Sequence, residues 1–260
     1  MTATSVHVLR YDQGRTWSQM KAARPSSARY WHPGVEALSD STGFPVPDER
    51  EWMVLATWRD ADAWRAAVKG LGPWGDAREA WSCLLEAGET RYQPAEAAWA
   101  DGGRVPPFGA PSQQEPAGPV AVLTTVSLEP QLEPALRFQR DVEAVVASLP
   151  GTPGSLGYRL GAAEDFPQTV DAMTFSLWAT WSDARRWAYR TGVHSRAMHE
   201  HGAGDHIARG SFTTFAVLAA TGASAVIHPD LDRLLAHELT EDAPHPPDPL
   251  AAAPRAKENA

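Results

Sequence analysis

The sequence offers little to several kinds of chemistry. It holds one cysteine, Cys83, in 260 residues, which excludes an intramolecular disulfide and a cysteine-based zinc cage. Its 23 lysines and arginines stand against 32 acids, a net charge of −9, so no basic footprint is available for nucleic acid. No window approaches the roughly 18 uncharged apolar residues of a membrane-spanning helix. The first residues, MTATSVHVLRYD, lack a basic region followed by an apolar core, and the chain is read as cytoplasmic. A Gly-x-Ser-x-Gly elbow, a Walker loop and a Gly-x-Gly-x-x-Gly turn after a strand are also missing, which argues against nucleoside triphosphates and Rossmann chemistry.

Tryptophan, by contrast, is abundant. Eleven tryptophans and 43% hydrophobic residues are enough for a substantial core. The organising stretch runs from Met173 to Gly222, reads as strand, helix, strand, and carries four of the nine histidines. Ala56, Thr57, Trp58, Asp60, Ala61 and Trp64 recur as Ala179, Thr180, Trp181, Asp183, Ala184 and Trp187, a constant offset of 123 (179 − 56), which marks an internal repeat. On that register Trp52, Val54, Ala56 and Trp58 share a strand face that matches Phe175, Leu177, Ala179 and Trp181. The opposite faces, Met53/Leu55 and Ser176/Trp178, are also largely apolar, so the sheet must be covered on both sides.

The remaining elements follow from pattern. Ser5 to Tyr11 alternates as a strand, Trp17 to Ala28 suits a short helix, and the Gly- and Pro-bearing stretch ahead of Glu51 reads as a loop that packs down. Asp60 is placed to cap a helix through Trp64 and Val68, and Trp81, Cys83 and Leu85 alternate on a closing strand where Cys83 is a small buried hydrophobe. Gln93 to Pro119 carries six prolines and reads as a linker. Beyond it come a strand from Pro119 to Leu128, a helix from Glu133 to Leu149, strands at 155–163 and 172–181, a helix from Ser182 to about His201, and a strand from Ser211 to Ala220. The predicted class is α+β: two tandem ferredoxin-like βαββαβ repeats, 1–92 and 119–222, joined by a linker at 93–118 and packed sheet to sheet as a dimeric-α/β-barrel-type pseudo-dimer. Residues 223–260 are read as a short helix, Leu231 to Leu239, and a disordered tail.

On the long helix Ala184, Trp187, Ala188, Thr191, His194, Met198 and His201 fall on one stripe, which aims His194 at the sheet. Spacing alone equally allows a core histidine bonded to a backbone carbonyl, with His201 simply ending the helix. His194 and His201 are seven residues apart, about 10 Å along a helix axis, too far to share one zinc. Asp40, Asp48 and Glu49 are candidate bases that surface solvation explains equally well.

The stretches STGFPVPDEREWMVLATWRDA, AWSCLLEA, GPVAVLTTVSL and MTFSLWATWSDARRWAYRTGVHSRAM resemble, in order and spacing, the spheroidene monooxygenase family of carotenoid biosynthesis, over Val6 to Gly222. The most specific pieces are the loop Thr42, Gly43, Phe44 and the strand Thr174 to Trp178 with its following His-x-x-Ala helix. The resemblance implies an oxygen-using monooxygenase containing haem b, on a tandem α/β-barrel fold shared with aldoxime dehydratase. It places the proximal ligand on His194, with Ala197 the matching alanine. Around it, Trp178, Trp187, Met198, Arg190 and Arg196 are this chain's candidate cofactor-binding residues, although arginines on a helix are more often solvated, and His206 and Ser176 are its candidate catalytic residues. Where the family has a Trp, an aromatic and a Glu-Glu-Leu stretch, this chain has His206, Ile207, Arg209, Gly210 and Ser211, so the substrate is as readily a soluble aromatic or polyketide as a carotenoid.

The expected partners are an apolar small molecule, molecular oxygen and an electron donor, with monomer and homodimer both open. A haem dehydratase would use the same iron site without oxygen. A haem-free oxygenase of the antibiotic-biosynthesis type would instead use reduced flavin or no cofactor, with His194 or His206 as base. From another class comes a noncatalytic barrel that binds an apolar ligand.

Overall fold

The computed structural model describes residues 2–70, 74–93, 108, 116–128, 131–162, 170–190, 192–202 and 207–238. Its first half runs β1 (Ala3–Arg10), α1 (Trp17–Ala22), β2 (Ala28–Ser39), β3 (Pro45–Trp58), α2 (Ala61–Lys69) and β4 (Glu79–Gln93). The second runs β5 (Val120–Leu128), α3 (Leu132–Ala147), β6 (Ser155–Ala162), β7 (Val170–Trp178), α4 (Trp181–Arg190), α5 (Gly192–Gly202), β8 (Ile207–Ala223) and α6 (Asp230–Glu238). The α+β class is observed. The eight antiparallel strands close into one barrel in the order β1-β3-β2-β6-β7-β5-β8-β4. The two halves therefore meet edge to edge, and each repeats the same order, β4-β1-β3-β2 and β8-β5-β7-β6.

The two seams are unequal. The β4–β8 ladder runs from Ala80↔Ala223 to Gln93↔Gly210, whereas among the described residues β2 and β6 pair only at Val35↔Ala162. Glycine permits the close approach beside that single pair. A Cβ on Gly34 would fall 2.8 Å from Met173 Cε and 3.0 Å from Gly161 Cα, and one on Gly161 would fall 3.2 Å from both Gly34 Cα and Met53 Cε. A buried arginine reinforces the seam from β6: Arg159 donates to Glu36 on β2 (2.8 Å) and to Glu51 on β3 (2.6 Å), and Glu51 also pairs with Arg10 on β1 (3.1 Å).

The structure corrects the repeat register. Met53 and Leu55 face the lumen with Val6, Phe175 and Leu177, whereas Trp52 and Val54 face outward onto Met20 of α1, and Ala56 and Trp58 onto Trp64 of α2. Phe175 is thus on the opposite side of the sheet from Trp52. Trp58 and Trp178 hold matching ladder positions, opposite Ala3 and Val120, and each is followed two residues later by a helix-capping side chain, Asp60 or Thr180. The structural offset is 120 (178 − 58), and the 123-residue identity matches pair a strand-ending tryptophan with Trp181, the first residue of a helix.

Two further expectations change. The packed loop ahead of Glu51 is a β2–β3 hairpin, whose turn is pinned by Asp40: its carboxylate accepts from Thr42 N (2.8 Å), Thr42 Oγ1 (2.6 Å) and Phe44 N (3.2 Å), with Gly43 at φ 80°. The first helix begins with a reciprocal Thr16/Gln19 cap and stops at Ala22, short of Pro25, which was expected to bend or end it, rather than running on to Ala28. The histidine-bearing helix is described as α4 and α5, on either side of Thr191. The predicted helix near 231 is present as α6, and it belongs to the core: Leu231 is buried against the lumen cluster with Leu234 and Leu235 beside it. The tail beyond it lies outside the described residues.

Arg159→Met removes the cation from two largely buried carboxylates, and it should lower stability by about 3 kcal/mol in urea titration. A midpoint equal to that of the parent protein would contradict the role given to this seam.

Candidate functional site

Strand β7 sends Phe175 and Leu177 into the lumen and Ser176 and Trp178 outward, where α3 and α4 cover them. Ser176 accepts a hydrogen bond from Trp178 Nε1 at 3.0 Å. The turn into α4 is fixed by Thr180, whose Oγ1 accepts from Asp183 N (3.1 Å) and donates to the Asp183 carboxylate (2.7 Å). From that start the helical period brings Ala184 and Trp187 down onto the sheet. The Trp187 ring lies 5.1 Å from that of Trp178, and its Nε1 donates to Ser148 Oγ at the end of α3.

His194 comes next, on α5. This helix packs on α3 and α4, and the half-buried His194 stacks on Trp187 with ring centroids 4.4 Å apart. The order outward from the sheet is Trp178, Trp187, His194. The histidine Nδ1 lies 2.9 Å from the carbonyl of Ala188, one of the last four in α4 and therefore without an acceptor role inside that helix. Burial lowers the imidazole pKa, opposed by the Ala188 bond, so the ring is neutral near pH 7. A neutral ring bonded to a carbonyl carries its proton on Nδ1, leaving Nε2 as a bare lone pair.

The structure thus brings Ser176, Trp178, Trp187 and His194 into one contiguous stack. Arg190 and Arg196 are exposed on α4 and α5, outside that stack. The Met198, His199 and His201 side chains and all of His206 lie outside the described residues. Two of the three acids considered as bases are poorly suited to it: Thr42 and the turn amides hold the Asp40 carboxyl below its usual range, and Arg50 does the same to Asp48. Cys83 is fully buried on the lumen face, where burial pushes its thiol pKa up and leaves it inert. Among the described residues no group of three or more His, Cys, Asp or Glu is arranged to hold a metal ion.

Sequence reasoning missed the histidine of the other half. His7 on β1 is fully buried among Trp31, Trp58 and Trp74, with the Trp74 ring 4.5 Å away. Its Nε2 meets Ser5 Oγ at 2.8 Å, and Ser5 in turn accepts from Trp58 Nε1 at 2.7 Å. The spacing Ser5-x-His7, which puts both side chains on one strand face, was the available signal.

No family model matches the chain, and no curated protein matches it. Among solved structures it is similar to an aldoxime dehydratase in complex with butyraldoxime, at 13% identity over 90% of this chain and 85% of that one, with a TM-score of 0.47. It is also similar to a candidate monooxygenase of Fusobacterium nucleatum (11% identity, 87% and 97% of the two chains, TM-score 0.39) and to an anthrone oxidase-like protein (14%, 88% and 96%, TM-score 0.31).

Burial holds His7 neutral down to about pH 3, against an ordinary value of 6.5. As pH falls below 6.5 the unfolded chain takes up a proton that the folded chain refuses, so stability present at neutral pH is lost progressively toward the folded value. The thermal midpoint should therefore drop between pH 7 and pH 4, and drop less in His7→Leu. Parallel curves for the two proteins would show that His7 does not govern the acid limb.

Proposed function

We propose that this chain is a haem-dependent monooxygenase acting on an apolar or aromatic small molecule, built as two fused ferredoxin-like units at 1–92 and 119–222. One observation carries the proposal: His194 is a neutral imidazole with its Nδ1 proton committed to the Ala188 carbonyl and its Nε2 lone pair available. That is the donor chemistry a haem iron needs from a proximal histidine, because the backbone bond fixes both tautomer and ring orientation. The motif resemblance through the His-x-x-Ala segment points to the same residue.

Bound there, haem b would supply activation of molecular oxygen, one atom entering the substrate and the other leaving as water, with two electrons from an external donor. The protein's own contribution is positioning. His194 acts as iron ligand, braced by Trp187 from one side and by the end of α4 through Ala188. Trp178 and Trp187 keep water from the ring's sheet-facing side, and Ser176 fixes the Trp178 indole. Arg190 and Arg196 are the cations on the same two helices able to meet the cofactor's carboxylates. The lowered pKa keeps the imidazole neutral, as a ligand must be, and weakens it as the general base that a haem-free oxygenase would require.

The test is the absorption spectrum of protein purified from cells supplied with a haem precursor. A Soret band that shifts on adding dithionite and carbon monoxide is expected, and His194→Ala should lose most of it. An intact band in His194→Ala removes the ligand assignment, and no band at any haem supply removes haem and leaves the flavin-dependent, cofactor-free and noncatalytic readings.

A further inference from the structure

The lumen, on the other side of the sheet from His194, is not filled by strand residues alone. Phe108, which comes from between β4 and β5, is 3% exposed and sits in the lumen cluster with its ring edge-on to Phe215 at 5.2 Å. An eight-stranded barrel is about wide enough for its own side chains or for one small ligand. Here a residue from outside the sheet completes the packing.

The lumen wall is also more polar than a packed core requires. Thr213 and Ser211 share the inward parity of Phe215 on β8, both buried, and pair with Thr90 (3.1 Å) and Thr125 (2.8 Å) beside Leu123. Thr4 shares the lumen-facing parity of Val6 and Val8 on β1 and lies opposite Leu85 of β4 and Thr57 of β3. It is fully buried, and its Oγ1 has no hydrogen-bond partner among the described residues. A buried hydroxyl left unpaired costs on the order of 1–3 kcal/mol, and a bound oxygen atom would recover it.

We propose that the barrel lumen is a second binding site, for a flat apolar ring bearing a hydroxyl or carbonyl oxygen, and that Phe108 is its resident occupant. The incoming ring displaces the Phe108 ring from beside Phe215, and its oxygen bonds to Thr4. The site is independent of His194, because the sheet separates them: Phe175 and Leu177 face one, Ser176 and Trp178 the other.

The test uses the full chain and two probes, 2-naphthol and naphthalene, titrated by calorimetry. The parent protein should bind 2-naphthol more tightly than naphthalene, and Phe108→Ala should bind 2-naphthol about tenfold more tightly, since the ligand no longer competes with a phenyl ring. Ala87→Leu, which narrows the lumen beside Phe215, should abolish binding, Thr4→Val should erase the preference for 2-naphthol, and His194→Ala should change nothing. If Phe108→Ala does not fold, Phe108→Leu gives the same direction with a smaller gain. Binding that appears only after Phe108 is shortened, with naphthalene as good as 2-naphthol, marks Phe108 as a packing residue and overturns the proposal. Loss of binding in His194→Ala, or no binding to the parent protein and either variant, overturns it as well.

Discussion

Because the eight strands close on themselves, each sheet residue is committed to the lumen or to the helix-covered outside, and a one-residue slip would exchange the two. Everything described above depends on that commitment. Apolar residues on both faces make it work: Met53, Phe175 and Phe215 fill the inside, while Trp52, Trp58 and Trp178 seat the helices. Closure itself is held unequally, by a long ladder at one seam and by paired glycines, methionines and Arg159 at the other.

The two halves use their outer faces differently although their strand order is the same. In the first, the space above the sheet is closed by His7 and three tryptophans, with the imidazole sealed from water. In the second, α5 brings His194 against Trp187 and leaves it half-buried. Burial separates the two imidazoles chemically. Full burial makes His7 a structural group whose charging opposes folding, while partial burial and a carbonyl partner keep His194 neutral with its proton on Nδ1.

Much of this was legible in the sequence, and the failures have physical causes. The strands around Leu55, Cys83, Leu123 and Phe215 announced themselves through apolar alternation. Strand β2 did not, because Gly43, Pro45 and Pro47 marked the whole stretch as loop, and only pairing with β3 and the Gly34–Gly161 approach give it a reason to be extended. The repeat was real but misregistered, since Ala-Thr-Trp recurs across a strand–helix junction and parity cannot be tested where a strand ends. His194 was singled out by its place on a helical stripe and by a motif, and the ring it stacks on, Trp187, belongs to the same stripe. The lumen's use of Phe108 was invisible, because nothing in a proline-rich segment marks one phenylalanine as core.

The most direct test of the account is the iron–histidine stretching band in the resonance Raman spectrum of the reduced protein. The band should be present in the parent, absent in His194→Gly, and restored when free imidazole is added to that variant, because the Ala188 carbonyl and Trp187 remain to hold it. A band unchanged in His194→Gly would place the ligand elsewhere and contradict the account.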